Sequence, residues 1–102
     1  VSEIAHAEEL GCEIVKLFPG DSVGGPAFVK ATLAPMPWSS IMPTGGVDGS
    51  RDSLKAWFDA GVPAVGMGSA LVSSDMVTDK AWDTLSERCR AVLATIKELR
   101  GR

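Results

Sequence analysis

The sequence predicts an α/β fold of parallel βα units, arranged as the C-terminal part of a (β/α)8 TIM barrel. Three observations carry that reading. Short apolar runs alternate with helix-period stretches in the order α-βα-βα-βα, with brief links between them. The polar and glycine residues of these runs gather toward their C-terminal ends, where parallel α/β folds carry their chemistry. The chain has 102 residues, enough for about three units plus a leading helix, whereas a complete barrel takes ~250. A small open α/β sheet is the other arrangement this element order allows.

Ser2 to Leu10, rich in Ala, Glu and Leu, reads as a helix stopped by Gly11. Glu13 to Pro19 is a short, mostly apolar run closed by proline, the pattern of a buried strand. Gly20 to Gly25 is a loop, and Pro26 suits the first turn of a helix running to about Leu33. Ser39 to Thr44 repeats the strand pattern and Gly45-Gly46 breaks it. Ser50 to Ala60 is a helix carrying Leu54, Trp57 and Phe58, stopped by Gly61. Pro63 to Gly68 is the third strand, followed by a loop with a short turn. The last helix, from near Asp79 to Leu99, spaces Trp82, Leu85, Cys89, Val92, Ile96 and Leu99 by three and four, a face for packing on the barrel.

Composition narrows the function. Ten Lys and Arg stand against 13 Asp and Glu, a net charge of −3 with no basic block, so nucleic acid is not an expected partner. No apolar run approaches the ~20 residues of a membrane span. Cys12 and Cys89 lie far apart and the chain has 1 His, which disfavours a zinc site or a disulfide scaffold and fits a reducing, cytoplasmic setting. The chain opens Val1-Ser2-Glu3-Ile4, without Met or the layout of a secretory leader, and the expectation is a segment of something longer.

Side chains alternate along a strand. Val15 and Leu17, Ile41 and Pro43, Val65 and Met67 therefore make one apolar face for the helices. The opposite face carries Lys16, Thr44, Gly66 and Gly68. A lysine within an apolar strand must snorkel, pair with a carboxylate or lose its charge, and a desolvated neutral amine can attack a carbonyl carbon. The plainer alternative is an edge-strand lysine with its head in water. Thr44-Gly45-Gly46-Val47 and Gly66-Met67-Gly68-Ser69 each follow a strand, where glycines let backbone N–H groups approach an anion. They also suit tight turns with no ligand. His6 and Asp21 read as solvated, Cys12 as a small buried hydrophobe, and the three tryptophans as core or subunit contacts.

Lys16-Leu17-Phe18-Pro19, Val23-Gly24-Gly25-Pro26, Met42-Pro43-Thr44-Gly45-Gly46-Val47 and Val65-Gly66-Met67-Gly68-Ser69 together resemble one family. They resemble the C-terminal half of the 2-keto-3-deoxy-6-phosphogluconate (KDPG) and 4-hydroxy-2-oxoglutarate aldolases. The resemblance implies a class I aldolase, a metal-free and cofactor-free homotrimer that cleaves a 2-keto acid to pyruvate and an aldehyde. It makes Lys16 the Schiff-base lysine and Thr44 a holder of the pyruvyl carboxylate. Phe18 and Pro19 line the substrate wall, and Gly45, Gly46, Gly66, Gly68 and Ser69 form the phosphate cradle. Gly20-Asp21 and Ala70 depart from the Ala-Glu and Trp of many members. The family's acid/base glutamate and substrate arginine match no position here, so activity is expected of a longer protein or an assembly. Two other readings fit the residues: a phosphate-binding barrel isomerase or synthase, and a non-catalytic half-barrel scaffold that self-associates.

Overall fold

A computed structural model describes residues 1–101. Helix α1 (Ser2–Glu9) ends in a turn at Gly11, whose φ of 97° is a left-handed conformation suited to glycine. Strand β1 (Val15–Leu17) precedes α2 (Gly25–Leu33), and β2 (Ile41–Pro43) precedes α3 (Arg51–Asp59). The short α4 (Ser74–Thr78) and the long α5 (Trp82–Arg100) complete the order.

β1 and β2 pair in parallel, with Val15 opposite Ile41, Lys16 opposite Met42 and Leu17 opposite Pro43. The expected third strand over Pro63–Gly68 is reduced to one parallel bridge, Thr44 to Gly66. Gly66 N–H donates to Pro43 O at 2.8 Å. The preceding rung would need an N–H from Pro43, and proline has none. The first two strands are also shorter than expected, at three residues each.

The apolar face of the pair lies under the helices. Val15, Ile41 and Pro43 are buried and join Ile4, Val29, Leu54 and Trp57 at the centre of the molecule. Lys16 on the other face is exposed and Met42 is half-buried. On α5, Val92 is buried, while Leu85, Cys89, Ile96 and Leu99 are half-buried and Trp82 is exposed. Arg51 of α3 ties to Glu98 of α5 at 2.9 Å, and Arg100 donates to Pro63 O at 3.1 Å.

Two expectations need correction. Cys12 is exposed, because it sits in the turn between α1 and β1 before the chain enters the core; its Sγ donates to Ile14 O at 3.0 Å. Of the three tryptophans, expected at core or subunit contacts, Trp57 is buried, while Trp38, on the connection to β2, and Trp82 are exposed in the single chain. The last helix starts at Trp82 rather than near Asp79, because Lys80, with φ 52°, separates it from α4. Ser73 caps α4, its Oγ accepting from Met76 N–H at 3.3 Å.

Candidate active site

Lys16 is the middle residue of β1, and alternation turns it away from the buried Val15. Its Nζ lies 5.6 Å from the centre of the Phe18 ring, two residues along the same face. Such a contact holds the ammonium over the aromatic face without removing it from water. A groove of about 480 Å³ opens here, lined by Ile4, Ala7, Lys16, Phe18, Val23 and Phe28. Phe18 is 65% exposed and Pro19 is exposed beside it. The groove is open on one side, so the lysine sits at a mouth and not in an enclosed interior.

Thr44 stands one residue past β2, on the face that Met42 shares with Lys16. Its N–H donates to Leu17 O at 2.9 Å, which ties it to the strand of Lys16. Its Oγ1 is buried and has no hydrogen-bond partner among the described residues. That oxygen occupies the space a Cβ at Gly66 would need. Gly66 is therefore the residue that admits the threonine side chain, a packing role beyond the anion approach or tight turn read from sequence.

Gly45 and Gly46 adopt φ of 89° and 76°. Gly45 packs against the Phe18 ring, where a Cβ would stand 3.1 Å from Cε1, and Gly46 packs against the side chain of Asp21. Gly20 completes this loop. Its N–H donates to Thr44 O at 2.8 Å, and a Cβ there would meet Gly45 O at 2.9 Å and the Trp57 ring at 3.3 Å. Sequence reasoning missed Gly20, although the break after Phe18-Pro19 was its signal. Gly68 faces open space and Ser69 is exposed. Among the described residues, nothing accepts a hydrogen bond from the backbone N–H of Gly46, Gly68 or Ser69.

The structure thus brings Lys16, Phe18, Pro19, Thr44, Gly45 and Gly66 together at the C-terminal ends of the strands. Gly68 and Ser69 lie beyond the Thr44–Gly66 bridge, at the rim. Behind the loop, Asp48 Oδ1 accepts from Ser50 N–H at 2.7 Å, and Ser50 Oγ accepts from Ser53 N–H at 3.1 Å to start α3. The Ser50 hydroxyl, and then its N–H, hold the Asp48 carboxyl below the usual carboxylate range. Among the described residues, no three His, Cys, Asp or Glu side chains gather where they could hold a metal ion. No helix among them is long and apolar enough to cross a membrane.

Known proteins resemble the chain in sequence and in fold. The chain is 36% identical over 96 residues to a 2-dehydro-3-deoxy-phosphogluconate aldolase of Haemophilus influenzae, covering 92% of this chain and 43% of that protein. It is 37% identical over 71 residues to a 2-dehydro-3-deoxy-6-phosphogalactonate aldolase of Escherichia coli, covering 69% of this chain and 33% of that one. The chain therefore spans less than half the length of these relatives. A solved KDPGal structure superposes with a TM-score of 0.80 at 25% identity, over 99% of this chain and 46% of that one. The fold is accordingly a partial barrel. The sequence pattern of KDPG and KHG aldolases matches residues 1–88, and the chain belongs to that family.

Proposed function

We propose that this chain supplies the Schiff-base half of a class I aldolase that cleaves KDPG or 4-hydroxy-2-oxoglutarate to pyruvate and an aldehyde. One observation supports the reading above the others: Lys16 and Thr44 share a face of neighbouring, hydrogen-bonded segments, and Lys16 also lines the groove beside Phe18. The Lys16 amine, once neutral, adds to the C2 keto carbon, and loss of water leaves a protonated imine. Cleavage of the C3–C4 bond sends its electron pair into that imine and forms an enamine. The C4 hydroxyl gives its proton to a base and the aldehyde departs. Protonation of the enamine at C3 and hydrolysis of the imine release pyruvate and restore the amine.

Thr44 Oγ1, buried and without a partner, is the donor for the pyruvyl carboxylate and fixes the imine plane relative to the breaking bond. Phe18 and Pro19 wall the substrate. The glycine-rich loops take the phosphate, with Gly45 and Gly66 shaping the space and the N–H groups of Gly46, Gly68 and Ser69 donating. Proton transfer is worth roughly 10²- to 10⁴-fold, and none of the matched residues serves as the base. The full activity therefore belongs to the longer, cytoplasmic, homotrimeric protein that the family resemblance implies. Reduction with borohydride in the presence of pyruvate tests the reading, because only an imine is trapped. An isomerase or synthase that uses Lys16 as an electrostatic anchor leaves the lysine unmodified.

A further inference from the structure

The backbone of Thr44 is held at both ends by the strand that carries Lys16 and by the loop after it. Its N–H donates to Leu17 O at 2.9 Å, and its carbonyl accepts from Gly20 N–H at 2.8 Å. Gly20 is buried, and its own carbonyl accepts from Gly25 N–H at 2.9 Å, where α2 begins. On the side of Gly20 where a Cβ would point, the three nearest atoms are Gly45 O, Thr44 O and Cη2 of Trp57. A Cβ there would stand 3.3 Å from that ring atom. Trp57 belongs to α3 and is 2% exposed. The far rim of its indole therefore backs the peptide that fastens Thr44, although Trp57 does not line the groove of Lys16.

We propose that Trp57 is a positioning residue for the reaction at Lys16, acting through Gly20 on Thr44. The inference rests on the aldolase reading and on the carboxylate-holding role proposed for Thr44. A buried glycine has no side chain to anchor it, so its place is set by its hydrogen bonds and by what packs on it. Truncating a buried ring leaves a void into which the neighbours relax only in part. With the indole rim gone, Gly20 settles toward α3 and its N–H draws away from Thr44 O. That hydrogen bond weakens as it lengthens beyond about 3.2 Å. Thr44 keeps its tie to Leu17 but loses the one at the other end of its backbone, and its Oγ1 loses a fixed direction. Lys16 lies within β1 itself, so its amine chemistry is unaffected. A misplacement of about 1 Å can cost roughly a hundredfold, and one of a few tenths of an ångström several-fold. The signature is a weaker hold on the pyruvyl carboxylate with imine formation itself unchanged.

The test makes two measurements on the full-length protein. The first follows amide hydrogen exchange at Gly20 and at Val15, whose N–H donates to Ser40 O at the other end of β1. In the original protein Gly20 should be protected to within about tenfold of Val15. In Trp57→Phe its protection should fall about fivefold further than that of Val15, the equivalent of one net backbone hydrogen bond. The second measures how borohydride trapping on Lys16 depends on pyruvate. Trp57→Phe should raise the half-saturating pyruvate about fivefold and leave the limiting rate within about twofold. Thr44→Ala should raise it by at least about tenfold, the worth of a hydrogen bond to a charged group. Trp57→Phe added to Thr44→Ala should then change it by less than about twofold. A core residue without a positioning role raises it by the same factor in both backgrounds or in neither, and either result overturns the proposal. So does a Gly20 amide that exchanges freely in the original protein, a result that needs no variant to fold. Absence of pyruvate-dependent trapping in the original protein overturns the aldolase reading and this proposal with it, whereas trapping with an additive cycle overturns this proposal alone.

Discussion

Gly66 and Gly68 are two residues apart in one segment, yet they should respond oppositely to the same substitution. Neither has a left-handed φ, so a Cβ meets no backbone strain at either position. At Gly66 the new methyl overlaps Thr44 Oγ1, whereas at Gly68 it meets nothing within 4 Å. Replacing Gly by Ala in a compatible backbone stabilises by about 0.4–1 kcal/mol through the unfolded chain. Gly68→Ala should show that gain. Gly66→Ala adds an overpacking cost of about 1–3 kcal/mol, for a net loss of about 1–2 kcal/mol. With a urea slope of about 1–3 kcal/mol per M, that moves the unfolding midpoint by roughly 1 M. Thr44→Ala removes the opposing oxygen, so in that background Gly66→Ala should turn stabilising, a coupling of about 1–3 kcal/mol in the cycle. An additive cycle, or equal effects at the two glycines, would refute the packing of Thr44 on Gly66.

Leu54 is fully buried under the strand pair, so Leu54→Ala should cost about 2–5 kcal/mol in denaturant unfolding. Ser50→Ala removes the cap of α3 and should cost about 1 kcal/mol, while leaving the signals of the Lys16 groove in place. The Asp48 carboxyl is held below its unfolded value by Ser50, so its contribution to stability is present above the unfolded pKa of about 3.9 and is lost as pH falls through the folded pKa. Asp48→Asn should flatten that part of the stability-against-pH curve, and an unchanged acid limb would contradict the assignment.

Much of this was legible in the sequence because the signals are local. Gly11 and Gly61 stop helices, Pro26 starts one, and alternation along Val15–Leu17 and Ile41–Pro43 sorts the buried face from the face of Lys16. What was missed depends on contacts across the chain. The third strand fails because of Pro43 on its neighbour, not because of its own residues. Gly66 reads as a turn or anion-loop glycine until Thr44 is seen to fill its side-chain space. Cys12 looks apolar by type, but its place in a turn decides its exposure. Lys16 is exposed because the strands here leave its face uncovered, and the desolvated amine that the proposed reaction needs would have to come from further barrel strands.

The account stands or falls on the chemistry of Lys16. The full-length protein is incubated with pyruvate, reduced with borohydride, digested, and its peptides are mapped by mass. A reduced pyruvate adduct on Lys16, absent without pyruvate and absent in Lys16→Arg, is the predicted result. An adduct on Lys30 or Lys55 with Lys16 unmodified, no pyruvate-dependent adduct at all, or full cleavage activity in Lys16→Arg would contradict it.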